Sequence, residues 1–306
     1  MRVTITTVAV AVLATFAAAC SDQVPVTSPE SGPAFATTAA AAGTSVTVYG
    51  LTSEGELITF DAAHPNKTTS ARPVTGLTNG DRLVGLDFRA SGPIATIGTL
   101  YALASGPNGG ALYVVDRATG AASTRVELRT AAGARVILRG TAFGVGFNPV
   151  VDRLRVHSDA EQNLRINVAS GLTIIDPALG FLSADVNAGT DAAVGGAAYT
   201  NSDNDPMTGT ELYAIDAARD VLVEFPAPGG ANGGQMLTVG ALGVDTDTAI
   251  GFDIVGTMNG TAYAVLSESP SGKSTLYSID LDTGRATRVG LLAQTKSYLV
   301  SVAVAP

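Results

Sequence analysis

From residue 46 onward the chain alternates short runs of period-two apolar residues, such as LITF, LYALAS and LYVVD, with polar breaks rich in Gly, Asp, Asn and Thr. Period two is what a half-buried strand produces, and Asn, Asp and Gly reverse a chain because they tolerate positive φ or bond their own backbone. The alternation is repetitive. LYVVDRATGAAST from Leu112 is echoed by LYSIDLDTGRATR from Leu276, with looser copies at Leu164 and Leu212. A second motif accompanies it: LVGLDFRA, AFGVGFNPV, AVGGAAYTN, AIGFDIV and, at the end of the chain, LVSVAVAP.

Most units supply four short strands over roughly 50 to 60 residues, a period that belongs to propellers and solenoids. The pattern predicts an all-β fold: a five-bladed β-propeller of four-stranded antiparallel blades over residues 45–306, its glycine-rich strands innermost at the crowded axis. The first unit, VTVYGLTSEGELITFDAAHP, lacks an innermost strand, so Leu299 to Ala305 is expected to supply it and close the ring. A β-sandwich is the rival architecture, but it does not require one motif order five times over.

The segment ahead of the repeats reads differently. Residues 1–20 carry one charge, Arg2, then the apolar run VAVAVLATFAAA and a small-residue stretch ending at Cys20, the layout of an export signal. The uncharged run is shorter than the about 20 residues that a membrane span needs. Cys20 is the chain's only cysteine, so it forms no internal disulfide, and its place after three alanines resembles a bacterial lipobox. Lipidation of Cys20 is therefore expected; ordinary cleavage at an A-x-A site is the alternative. Ser21 after the cysteine resembles outer-membrane sorting, so an exported lipoprotein of the cell envelope, held to the outer membrane by its lipid, is the expected address. Residues 21–44, rich in Pro, Ala, Ser and Thr, read as a flexible tether.

Composition narrows the partners. The net charge is -9, and the 18 Lys and Arg are scattered, which argues against nucleic acid. No P-loop, G-x-S-x-G elbow or histidine-rich metal site is present, and the only histidines are His64 and His157. No cofactor is expected. The acidic turn around Asp203 to Asp205 lacks the ordered spacing of a calcium loop.

One stretch breaks the low-charge pattern: GFNPVVDRLRVHSDAEQNLRIN, Gly146 to Asn167. Elsewhere the middle strands carry Tyr49, Tyr101, Tyr113, Tyr213, Tyr263 and Tyr277; here Arg155 and Arg165 take tyrosine places. Alternation puts Arg153, Arg155 and His157 on one face, with Asn163, Arg165 and Asn167 beside them on the next strand. Guanidinium groups inside a blade interface need partners. Asp152, Asp159, Glu161 or Asp185 could pair with them in a structural network; alternatively they receive a carboxylate, sulfate or phosphate at an open edge. A second candidate is the ring of innermost strands, where Asp87, Arg89, Asn148, Tyr199, Asn201 and Asp253 occupy comparable places and could form an axial pocket.

GFNPVVDRLRV, QNLRIN, AAYTN and the repeated LYxxDxxTG resemble the bacterial family catalogued as domain of unknown function 4394, over residues 46–289. The resemblance implies a secreted or envelope-anchored propeller-like protein and brings no established activity. Two functions follow as expectations. The first is a lipid-anchored, non-catalytic binding or scaffolding module, whose partner is a protein, a glycan or a small anionic ligand. The second is a metal-dependent hydrolase or lactonase with its site at the axis.

Overall fold

A computed structural model of the chain describes residues 45–203, 205, 207–256, 260–268, 273–293 and 297–306; the expected signal peptide, Cys20 and the tether lie outside the described residues. The alternating runs form strands grouped into five sheets. The first blade holds β1 (Thr47–Thr52), β2 (Glu56–Asp61) and β3 (Thr68–Pro73). The second holds β4 (Arg82–Phe88), β5 (Leu100–Gly106), β6 (Gly109–Val115) and β7 (Ala122–Glu127). The third holds β8 (Phe143–Asn148), β9 (Arg153–Ser158), β10 (Asn163–Ile166) and β11 (Thr173–Ile175).

The fourth blade is built from β13 (Val194–Tyr199), β14 (Leu212–Asp216), β15 (Val221–Glu224) and β16 (Gln235–Ala241), and β12 (Gly180–Phe181) adds a short parallel strand to its outer edge. Its third strand is VLVE, so the LYAID copy, with the turn that Asp216 caps, is the second strand of this blade and not the third. The fifth holds β17 (Ile250–Ile254), β18 (Ala262–Glu268), β19 (Lys273–Ile279) and β20 (Ala286–Leu291). The protein is a five-bladed β-propeller.

The last strand, β21 (Leu299–Val304), pairs antiparallel with β1, from Val48 opposite Val304 to Thr52 opposite Leu299. Neither end of the ring is left as an open edge. The innermost strands β21, β4, β8, β13 and β17 each touch the next around the axis. Their glycines are spatial necessities: a Cβ on Gly144 would lie 2.6 Å from the Ala197 nitrogen, and one on Gly251 would lie 2.7 Å from the Val302 nitrogen. Asp116 and Asp280 make the outer turns, each accepting two backbone N–H groups ahead of Gly120 and Gly284 at φ 77° and 78°.

The core is a set of seams between blades. Four apolar clusters each draw residues from two neighbouring blades: first with second, second with third, fourth with fifth, and fifth with first. The remaining cluster is made by the fourth blade and the segment leading into it, with Val194, Ala197, Tyr199, Leu212, Val223 and Phe225 among its members. The third blade does not answer it with apolar side chains. Its apolar face (Val145, Phe147, Leu154, Val156, Leu164 and Ile166) is spent on the second blade.

Candidate functional site

The face that the third blade turns toward the fourth carries Gly144, Gly146 and Asn148 on β8, Arg155 and His157 on β9, and Asn163 and Arg165 on β10. Cross-strand pairing sets Arg155 between Gly146 and Arg165, and His157 between Gly144 and Asn163. The second strands of the other blades point a tyrosine at the following blade: Tyr49 meets Phe88 edge-on at 5.3 Å and Tyr101 meets Phe147 at 5.5 Å. Arg155 stands in the equivalent place. Arg165 does not: it faces the same way as Arg155, whereas Tyr113 and Tyr277 pack toward the preceding blade. The β9–β10 connection is longer than the tight Gly106–Gly109 hairpin, which shifts the third strand by one residue and so turns it over.

Arg155 is buried, with 3% of its surface exposed, and four hydrogen bonds hold its guanidinium. Nη1 donates to Asn163 Oδ1 at 2.8 Å and Asp176 Oδ2 at 2.7 Å, and Nη2 donates to Asn232 Oδ1 at 2.6 Å. Nε donates to Tyr199 Oη at 3.4 Å. Arg165 grips the same Asp176 through both its oxygens, at 2.8 and 2.9 Å. This carboxylate and burial act in opposite directions on Arg165, and the carboxylate prevails, raising its pKa. Asp176 is thus the partner that the arginines require, in place of Asp159, Glu161 or Asp185. Asp159 caps the loop at Thr141, and Asp185 is occupied by Thr238 and Asn187.

Asp152 serves a different arginine. It takes a fork from Arg89, Nε to Oδ1 at 2.8 Å with Nη2 on Oδ2, and so ties the second blade to the third. Arg153 donates to the carbonyl oxygens of Val151 and Asp152 in its own turn. His157 is fully buried against the Phe225 ring, 4.8 Å between centroids, and neither ring nitrogen has a hydrogen-bond partner among the described residues. Burial first, then the charge of Arg155, hold its pKa well below the usual value, while Asn163 beside it pulls weakly the other way. Asn163 donates to the carbonyls of Pro177 and Ala231, pinning the short helix α1 (Gly230–Gly233) over the cluster.

Where the two blades diverge, a cavity of about 420 Å³ opens. Asn148 and Arg155 of the third blade and Tyr199, Phe225, Pro226 and Asn232 of the fourth blade and its connections line it. Glu211 and Glu224 also border it. Glu211 accepts the Tyr213 hydroxyl at 3.2 Å, and burial, reinforced by Glu211, pushes that phenol up to about 12.

A family match covers residues 56–303, including the FNPVVDRLR string of β8 and β9. The chain belongs to the family described as Domain of unknown function (DUF4394). No curated protein matches it. Among solved structures, the DUF4394 chain is similar to a protein from Lactobacillus plantarum at 12% identity and TM-score 0.40, covering 86% of this chain and 99% of that one. It is similar to a protein of unknown function from Bacteroides thetaiotaomicron VPI-5482 at 13% identity and TM-score 0.45, covering 84% of this chain and 61% of that one. A luciferin-regenerating enzyme matches at 11% identity and TM-score 0.43, covering 83% and 75%. Likenesses this distant say nothing about what a DUF4394 protein binds or does.

The axial candidates fall into separate groups in this DUF4394 propeller, with Asp87 and Asp253 near enough to feel each other's charge. Asp87 accepts from its own following nitrogen, Phe88, at 2.7 Å and from Phe147 of the next blade at 2.6 Å. Asp253 does the same with Ile254 at 2.8 Å and Val304 at 2.6 Å. Both carboxylates are interblade clamps. Burial pushes Asp253 up to about 7 against those two N–H groups; burial, then the charge of Asp253, holds Asp87 well above its ordinary value. Asn201, at φ 55°, donates to Thr208 and Gly209 within its own loop, where the side chains of Asp203 and Asp205 accept backbone N–H groups. Among the described residues, no three His, Cys, Asp or Glu side chains gather in a way that could hold a metal ion.

Proposed function

We propose that this protein is a lipid-anchored, non-catalytic binding propeller of the cell envelope, and that it takes its ligand in the cavity between the third and fourth blades. The observation that carries the reading is the seam itself. Four seams are closed by apolar packing, and the one that is polar opens into a cavity with a buried arginine on its wall. A convergence of a few fixed polar groups with aromatic side chains is the common chemistry of a small-molecule site.

Neither histidine supplies this seam with a general acid or base, and this reading gives Glu211 and Glu224 at the cavity border a role in charge selection. General acid–base chemistry needs a group within reach of the reacting atoms that is free to exchange a proton. His157 is sealed from solvent and held neutral, and His64 sits exposed in a turn beside Asp61. The hydrolase or lactonase reading has less support, because the axial carboxylates Asp87 and Asp253 each spend both oxygens on backbone N–H groups.

Anchoring rests on the lipobox-like residues before Cys20, and two acyl chains suffice for stable attachment. Mass spectrometry of the mature N-terminus, after expression in a two-membrane bacterium, is expected to find a diacylglycerol group on Cys20 and the protein in the outer-membrane fraction. An unmodified thiol on a freely soluble product would remove the anchor from this reading.

A further inference from the structure

We infer that the cavity between the third and fourth blades is selective for a small monocarboxylate carrying an apolar body; this rests on reading the cavity as a ligand site. The argument is an accounting of charges and donors. Two guanidinium groups, Arg155 and Arg165, share the single carboxylate of Asp176. Within the Arg155–Arg165–Asp176 cluster one positive charge therefore lacks a carboxylate of its own: Arg155, the member at the cavity wall, is otherwise met by the neutral groups Asn163, Asn232 and Tyr199, and Glu211 and Glu224 at the border bond neither arginine.

Among Asn148, Tyr199, Asn232 and Arg155 itself, the uncommitted polar atoms are donors. Asn148 uses its oxygen to accept from Val150 and Val151 at 2.9 and 3.1 Å, so its amide nitrogen remains. Asn232 uses its oxygen on Arg155, so its nitrogen also remains. The Tyr199 oxygen accepts from Arg155 Nε, which leaves its hydroxyl proton to give. Arg155 Nη2 has a second N–H beyond the one directed at Asn232. A wall of donors around a cation calls for an acceptor-only group, and a carboxylate has two oxygens to receive them.

The rest of the cavity sets the remainder of the ligand. Phe225, Pro226 and Ala227 offer an apolar surface, and the volume suits a molecule the size of a small aromatic acid. Glu211 and Glu224 at the border repel anions in proportion to their charge, which disfavours a doubly charged phosphate ester more than a singly charged carboxylate.

The test is calorimetric titration of the purified protein with phenylacetate, its neutral counterpart phenylacetamide, and phenyl phosphate. Phenylacetate is expected to bind at least about tenfold more tightly than either, since bonds to a charged acceptor are the stronger kind. Asn232→Asp places a carboxylate beside Arg155 from within the chain; it is expected to abolish phenylacetate binding while the melting temperature stays level or rises. Glu224→Gln is expected to narrow the gap between phenyl phosphate and phenylacetate. Equal or tighter binding of phenylacetamide or phenyl phosphate by the unmodified protein overturns the carboxylate assignment and leaves the cavity a site for other chemistry. No binding of any of the three, or phenylacetate binding that Asn232→Asp leaves unchanged, overturns the cavity as the ligand site.

Discussion

At the scale of single residues, Asp176 decides the character of the third blade. It is buried, and its two oxygens receive three donors from two arginines. Removing one partner of a buried ion pair leaves an uncompensated charge, which typically costs about 3–5 kcal/mol. Asp176→Asn is therefore expected to lower unfolding free energy by about 3 kcal/mol or more in urea denaturation. Asp152→Asn, which frees only Arg89 from a carboxylate about a quarter exposed, is expected to cost less. The sequence held the information needed to find Asp176. Ile166 pairs with Thr173 and Leu164 with Ile175, so the register across the Asn167–Gly171 turn sets Asp176 opposite Asn163, on the same face as the arginines. Glu211, Phe225 and Asn232 left no such signal, because they belong to another blade and only folding brings them near Arg155.

Elements are held apart or allowed together by what their backbones can tolerate. The approach of β8 to β13 requires Gly144 to have no side chain, since the nearest atoms are backbone atoms of Gly196 and Ala197 that cannot rotate away. Gly144→Ala is expected to destabilise the protein by about 1–3 kcal/mol, as overpacking does. Gly180→Ala in β12, where a Cβ meets nothing within 4 Å, is expected to stay within about 0.5 kcal/mol. Comparison of the two variants by thermal and urea unfolding checks both. Equal losses would mean that close approach at β8 does not control the seam. The strand-turn-strand grammar was readable at this scale because each turn is local: Asp116 and Asp280 cap N–H groups two and three residues on. The register of β10 was not, because it depends on the length of an irregular connection.

For the whole molecule, closure of the ring and the state of its axis are linked. Asp253 of the fifth blade accepts from Val304 in the closing strand, and Asp87 of the second accepts from Phe147 of the third. Burial raises the proton affinity of both in the folded state, Asp253 up to about 7. An acid with a raised folded pKa favours folding while it is protonated in the native state. That contribution is lost as pH climbs from the ordinary carboxylate value of 3.8 to about 7, the window in which the unfolded chain ionises first. Asp253→Asn removes the titration and weakens one acceptor. Its unfolding free energy, measured in urea from pH 4 to pH 8, is expected to rise relative to the unmodified protein by about 3–4 kcal/mol across that window. A difference that is flat with pH would show that Asp253 ionises normally at the axis.

The strands, the five-fold repetition and the closing role of the last strand were legible along the chain, whereas the parallel strand β12 was not. Those features follow from local periodicity, turn chemistry and the need to bury one face of each sheet. The sequence also marked Arg155 as an exception among the tyrosines. The folded chain alone shows that Arg155 faces a blade lined with apolar residues, that Asp176 is shared, and that the seam opens into a cavity bordered by Glu211 and Glu224. Pattern along a chain fixes which face a residue occupies; what stands across from that face is set by the packing of segments distant in sequence.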